Sequence, residues 1–288
     1  LGFDPALTDD LTARVERKSL PEPQWPDFDA FDEKDTAALA AAFQRAVPFP
    51  HLVMDGLFPA SALAAMARDF DAASSSDWRE YRGSLQRKRG TPADWHLPAA
   101  VQGYFNMLYS GPFLRLLSRI TSIPDLIPDP ALHGGGMHEI EAGGSFEVHV
   151  DFAKHPRTRL NNRLVMITYL NEGWSAADGG ALELWALNPP RPGVKLLPIF
   201  GRTVIIEQSA NAAHGQPDPV RAGSCRRSAV AYFYTNGLAT DGASNVLDTV
   251  YIPHAGYSRR QNTEFFLRQM TPPFVVKGLK AVRSVFKI

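Results

Sequence analysis

Three short stretches of this chain hold side chains whose types and spacing can do chemistry. In His149-Val150-Asp151 an imidazole and a carboxylate stand at i and i+2. Side chains at that period leave a strand on one face, so both groups can converge on one point. The pair alone is a weak signal, because short motifs arise by chance. The second stretch, ANAAHGQPDPV, places His214 sixty-three residues after Asp151. Two neutral imidazoles and one carboxylate make a facial triad suited to non-haem Fe(II), with three coordination positions left open. The same ligands could instead hold zinc, whose usual product is an activated water for hydrolysis. The third stretch, Arg226-Arg227-Ser228, comes twelve residues after His214. Alternation puts Arg226 and Ser228 on one face of a strand, with Arg227 and Cys225 on the other. A buried guanidinium with a hydroxyl beside it suits a carboxylate held in bidentate fashion. A hydrolase has no need of such an anchor, whereas an enzyme that binds a keto acid at a metal does.

The elements that must position these groups are strands. From Ala131 to Thr235 the chain becomes short β-type runs between turn signals: GGMHEIEA, FEVHVDF, RLVMITYLN, ALELWAL, VKLLPIF, TVIIEQ and AVAYFYT. Seven or eight strands without a helical period between them predict an antiparallel double sheet of the jelly-roll kind. The aromatic run Tyr232-Phe233-Tyr234 and Trp185 are expected to pack within the sheets. Upstream, DTAALAAAFQRAV predicts a helix capped by Asp35, followed by a strand at HLVMDGLF and helices at PASALAAMARDF, AAVQGYFNMLYS and PFLRLLSRITS. Residues 72–97, with Arg79, Arg82, Arg87, Lys88 and Arg89, read as a solvated, loop-rich surface. The expected fold is mostly β with flanking helices (α+β), a double-stranded β-helix core with helical support before it and a C-terminal helix after it. Its divisions are an acidic arm (1–36), helical support (37–130), the jelly-roll core (131–236) and a C-terminal extension (237–288).

HVD, HGQPDPV and the R-x-S strand, with RLVMITYLN and GGALELW between them in that order, resemble the 2-oxoglutarate and Fe(II)-dependent oxygenases of the prolyl 4-hydroxylase-like superfamily. The likeness covers about Ala131 to Thr235 closely and the preceding helices loosely. It implies that His149, Asp151 and His214 hold iron and that Arg226 and Ser228 bind the 5-carboxylate of 2-oxoglutarate. By the same resemblance Tyr169 adds a hydroxyl to that carboxylate and Leu182 lines the cosubstrate pocket. Some relatives carry a tyrosine where this chain reads Met137-His138-Glu139, which makes His138 a candidate substitute. Halogenating relatives lack the metal-binding carboxylate, so Asp151 favours hydroxylation. The implied reaction consumes O2 and 2-oxoglutarate, releases succinate and CO2, and hydroxylates an unactivated C–H bond of a small molecule, amino acid, glycan or peptidyl substrate. His155, Arg157 and Arg159, just after the metal motif, are candidates for substrate contact. Lone histidines such as His51, His96, His133 and His254 are expected to be hydrogen-bonded structural groups. A catalytically silent jelly-roll binding module and a zinc hydrolase built on the same three ligands are the alternatives.

Composition bounds the rest. The chain has 288 residues, 44% hydrophobic and 21% charged, with thirty basic and thirty acidic side chains. The zero net charge hides two poles: residues 1–36 carry ten acids and four bases, and residues 251–288 seven bases and one acid. No overall basic field argues for nucleic acid. The one cysteine, Cys225, excludes an internal disulfide and a thiolate zinc cluster and fits a reducing, cytoplasmic setting. No apolar run is long enough for a membrane span, and the acidic start is unlike a signal peptide. The tail FVVKGLKAVRSVFKI predicts a basic amphipathic helix that packs on the fold, with a membrane surface or a homodimer partner as the other settings for it.

Overall fold

The computed structural model describes residues 25–73, 77–237 and 246–270. Helix α1 (Glu33–Arg45) is capped by Asp32, whose carboxylate accepts from Lys34 N at 2.6 Å. The expected cap, Asp35, instead lies with Glu33 in the first turn, where carboxylates complement the helix dipole. Strand β1 (His51–Asp55) and helix α2 (Ala60–Ala72) follow. The basic stretch expected to be solvated loop folds as a hairpin, β2 (Arg79–Arg82) with β3 (Arg87–Gly90). Helix α3 (Ala99–Leu108) precedes α4 (Gly111–Thr121), which Ser110 caps and which ends on left-handed Ser122. The remaining strands are β4 (Ile127–Pro128), β5 (Gly136–Ile140), β6 (Phe146–Val150), β7 (Asn161–Tyr169), β8 (Leu182–Leu187), β9 (Pro190–Leu196), β10 (Arg202–Glu207), β11 (Ala213–Gln216), β12 (Arg226–Thr235) and β13 (Val250–Tyr251), before helix α5 (Arg259–Met270). Two details differ from the sequence expectation. The strand at VKLLPIF begins earlier, at Pro190, because it closes a hairpin on β8. A strand not foreseen from the sequence, β11, carries His214.

The strands form two facing sheets, a jelly roll. The larger runs β1-β10-β7-β12-β5-β3-β2 with β4 beside β12, and the smaller β13-β6-β11-β8-β9. Both faces of the larger sheet are covered. Leu164, Met166, Ile205, Ala231 and Phe233 pack with Phe43, Leu63, Phe105 and Leu116 of the helices. Their neighbours in sequence, Val165, Ile167, Val204, Ile206 and Tyr232, pack with Leu182 and Leu184 of the smaller sheet. Burial on both faces explains why these strands read as unbroken apolar runs. A buried relay ties helix to sheet: Tyr104 Oη and Thr168 Oγ1 are 2.7 Å apart, and Thr168 and Thr203 hydroxyls 2.9 Å apart.

Trp25 and Phe28 of the acidic arm pack into the helical core, with the Phe28 and Phe113 ring centroids 5.1 Å apart. At the other end α5 stitches the hairpin to the smaller sheet. Glu264 accepts from Ser84 N at 2.7 Å and from its hydroxyl at 2.6 Å. Gln261 Nε2 donates to Glu147 at 2.6 Å and to Ser84 O at 3.2 Å. Among the described residues no helix is long and apolar enough to cross a membrane. The basic tail FVVKGLKAVRSVFKI and most of the acidic arm lie outside the described residues.

Candidate metal centre

Strand β6 delivers His149 and, one residue past its end, Asp151; β11 delivers His214 directly opposite His149 in antiparallel register. The two strands meet closely because residue 215 is glycine. A Cβ there would lie 2.8 Å from both Cα and N of Val148, a backbone clash that no rotamer relieves. Each imidazole is oriented from behind: His149 Nδ1 donates to Glu147 O at 2.7 Å and His214 Nδ1 to Ala212 O at 2.9 Å. A proton on each Nδ1 leaves the lone pair on Nε2. Those lone pairs face one carboxylate, with His149 Nε2 3.4 Å from Asp151 Oδ1 and His214 Nε2 3.5 Å from Oδ2.

Three acceptors facing one another is an arrangement that a cation completes. The donor atoms lie within 4.8 Å of one another and all three residues are buried, and a nitrogen and oxygen set of this kind fits divalent iron. Burial pushes His214 below the ordinary imidazole range, which keeps it neutral for ligation. For Asp151, burial opposes ionisation, but His214, His149 and Tyr232 outweigh it and hold the carboxyl below the usual range.

Across the same cavity stands the cationic end. Arg226 is 6% exposed; its Nε donates to Gly180 O at 2.9 Å and its Nη2 to Tyr169 Oη at 3.0 Å, with the guanidinium 4.8 Å from the Tyr169 ring centroid. Ser228 sits opposite Tyr169 on β7 and opposite His138 on β5. Leu182, Ile167, Val165 and Val230 give the cavity apolar walls. The cavity is thus apolar between the His-Asp-His end and the guanidinium end. Arg227 faces the other way, as alternation requires, and pairs with Glu139 at 2.8 Å and Asp71 at 2.6 Å.

A family model described as the 2OG-Fe(II) oxygenase superfamily matches residues 135–234, the stretch that carries all of these groups. Residues 135–234 thus resemble a 2OG-Fe(II) oxygenase domain. Fe(II) and 2-oxoglutarate are the cofactors of that superfamily, and the donor set and the cationic anchor here fit both. Solved oxygenases share the fold. A prolyl-4-hydroxylase from Pseudomonas putida is 20% identical over 69% of this chain and 100% of its own, with a TM-score of 0.50. A Trichoplax adhaerens prolyl hydroxylase, in complex with a hypoxia inducible factor oxygen degradation domain peptide, is 14% identical over 70% of this chain and 89% of its own, at 0.50. SnoN, a non-heme alpha ketoglutarate dependent epimerase from nogalamycin biosynthesis, is 15% identical over 78% of this chain and 98% of its own, at 0.51. A search of curated proteins finds no match.

Around the triad, some sequence candidates come together and others do not. His138 lines the cavity, donates from Nε2 to Gly135 O at 3.3 Å, and is pushed down to about 3 by burial and by the Lys88 charge. His155 does not reach the cavity. It is buried in its own loop, where Nε2 lies 3.3 Å from Asp129 and Nδ1 accepts from the backbone N–H groups of Arg157 and Thr158. Arg157 pairs at the surface with Asp94, and Arg159 is exposed. His155 anchors the loop to Asp129, and none of the three lines the cavity.

Sequence reasoning missed two residues at the centre. Tyr232, expected only to pack, donates to Asp151 Oδ2 at 3.1 Å; its alternation with Arg226 and Ser228 carried the signal. Lys88, expected on the solvated surface, lines the cavity. Trp185 packs as expected, with Val148 and Ala213 outside the cavity. His254 is 3.3 Å from Glu147, and His51 bonds Phe49 O at 2.8 Å.

Proposed function

We propose that this protein is an Fe(II)- and 2-oxoglutarate-dependent hydroxylase of an unactivated C–H bond in a small-molecule, amino-acid, glycan or peptidyl substrate. Iron with 2-oxoglutarate and O2 supplies oxidative decarboxylation to succinate and CO2, coupled to transfer of one oxygen atom to carbon. His149, Asp151 and His214 would hold the metal through two neutral nitrogens and one oxygen. Arg226, with Ser228 and Tyr169, would hold the far carboxylate of the cosubstrate, and Leu182 would pack on its methylene chain. The protein's share is to fix these groups in line, exclude water and select the C–H presented.

The observation that carries this reading is the buried Arg226 and Tyr169 pair across an apolar cavity from the triad. A zinc hydrolase leaves that pair without a role, and a binding module leaves the convergent lone pairs without one. The test is thermal stability with Mn(II) and 2-oxoglutarate. Stabilisation by the keto acid that requires both the metal and Arg226 supports the reading; none in the native protein refutes it. Mass spectrometry of metabolite and peptide pools then seeks a product with one added oxygen. Succinate release with no oxygen gained would overturn hydroxylation while leaving oxygenase chemistry in place.

A further inference from the structure

Lys88 reaches the cavity because of sheet register. On β3 Arg89 lies opposite Glu139 and Gly90 opposite His138. Arg89 pairs outward with Glu139, so alternation turns Lys88 and Gly90 to the inner face, beside His138 and Arg226. Gly90 makes room there: a Cβ would stand 3.1 Å from the His138 ring. The Lys88 ammonium lies 4.0 Å from the centroid of Phe146, whose ring is stacked 3.9 Å from that of His149. One aromatic ring therefore touches both the ammonium and a metal ligand.

Among the described residues Lys88 has no carboxylate partner, while its neighbour Arg89 pairs with Glu139 and Glu141. Arg226, by contrast, is already engaged by Tyr169 and Gly180 and has a cosubstrate carboxylate to receive. Burial lowers the Lys88 ammonium to about 8. With a divalent ion, Asp151, Arg226, Lys88 and dianionic 2-oxoglutarate in place, one positive charge is left over. Lys88 is half-buried, and a partly desolvated charge without an ion-pair partner favours an anion beside it.

A second observation points the same way. Lys88 also lines an adjoining groove of about 380 Å³ whose wall holds five basic and three acidic side chains. Arg87, Lys88 and Arg260 of that wall make no ion pair among the described residues. The groove wall beside Lys88 is therefore net positive, which concentrates anions near it.

We infer that Lys88 is the counter-ion for a carboxylate on the primary substrate, so that the enzyme acts on acids rather than on neutral molecules. This rests on the oxygenase reading. One leftover charge matches a carboxylate better than a phosphate monoester, which carries nearly two. Phe146 would pack against the substrate carbon beside that carboxylate, and the reacting C–H would lie between Lys88 and the metal.

The test uses the full chain loaded with Mn(II) and 2-oxoglutarate, probed with amino acids, N-acetyl amino acids and hydroxy acids against the matching amides. Binding is read by thermal shift and calorimetry. The expected result is that one or more acids bind and their amides bind at least about tenfold more weakly, the loss for a charged hydrogen bond. Lys88→Met should lose that preference while holding 2-oxoglutarate affinity within about twofold, and Lys88→Arg should keep it. Two results overturn the inference: no acid binds better than its amide, or Lys88→Met weakens 2-oxoglutarate as much as the acid, which would assign Lys88 to the cosubstrate. Failure of the oxygenase reading would show separately, as no stabilisation of the native metal-loaded protein by 2-oxoglutarate.

Discussion

Tyr232→Phe removes one hydroxyl from the centre and nothing else. Its oxygen lies 3.1 Å from Asp151 Oδ2, the two side chains are 8% and 6% exposed, and the ring is held by Phe152 at a centroid distance of 5.0 Å. Phenylalanine keeps that packing, so the variant should fold and leave no cavity. The lost bond is one from a neutral donor to a buried carboxylate, worth roughly 1.5–3 kcal/mol. At about 1.4 kcal/mol per tenfold, and with partners behind metal ligands typically contributing this much, metal affinity should fall by roughly 10- to 100-fold. The assay is calorimetric titration with Mn(II) at fixed pH, with and without 2-oxoglutarate. Tyr234→Phe is the control: it lies two residues along the same strand, and its buried hydroxyl has no hydrogen-bond partner among the described residues. That variant should bind metal as the native chain does. If Tyr232→Phe binds Mn(II) within about twofold of native, or if Tyr234→Phe loses as much, the claim that Tyr232 positions the metal carboxylate is refuted.

Other outcomes follow from the same geometry. Gly215→Ala places a methyl group against the Val148 backbone, so β6 and β11 must part; a stability loss of about 1–3 kcal/mol, seen in urea unfolding, should accompany weakened Mn(II) binding. Arg226→Ala should reduce 2-oxoglutarate affinity by about a hundredfold while Mn(II) affinity without the keto acid stays near native, as read by calorimetry. Burial alone would raise the Glu264 carboxyl above its usual 4.5, but the Ser84 N–H and O–H donors and Arg268 outweigh it and hold it lower. A carboxyl lowered in the fold stabilises above its unfolded value, and that contribution disappears as pH falls through the folded one. Glu264→Gln should therefore cost about 1 kcal/mol at neutral pH in denaturant unfolding, discounted for its partial exposure, with the gap closing below about pH 4.

Much of the centre was legible before any coordinates, for a local reason. Within one strand alternation assigns each side chain a face, so His149 with Asp151, and Arg226 with Ser228 against Arg227, could be sorted from spacing alone. The same rule applied to Tyr232, but an aromatic run in a buried strand reads as packing unless its neighbour across the cavity is known. The triad and the R-x-S anchor also follow one another in an order that few other functions share, and from these residues the chemical class follows. The N-terminal cap moved from Asp35 to Asp32 for an equally local reason, the competition among several nearby carboxylates for the same free N–H groups.

Lys88 was beyond such reasoning. A run of basic residues without an apolar period is, from composition, solvated surface, and four of its five members, Arg79, Arg82, Arg87 and Arg89, do not line the cavity. What turns the fifth inward is pairing between β3 and β5, segments about fifty residues apart, steadied by hydrogen bonds from α5 to Ser84, about 180 residues further along the chain. Side-chain period is a property of one strand and can be read from it. Which strands lie side by side, and hence which charges face one another across a cavity, is decided by contacts among distant segments, and only the folded chain brings those together.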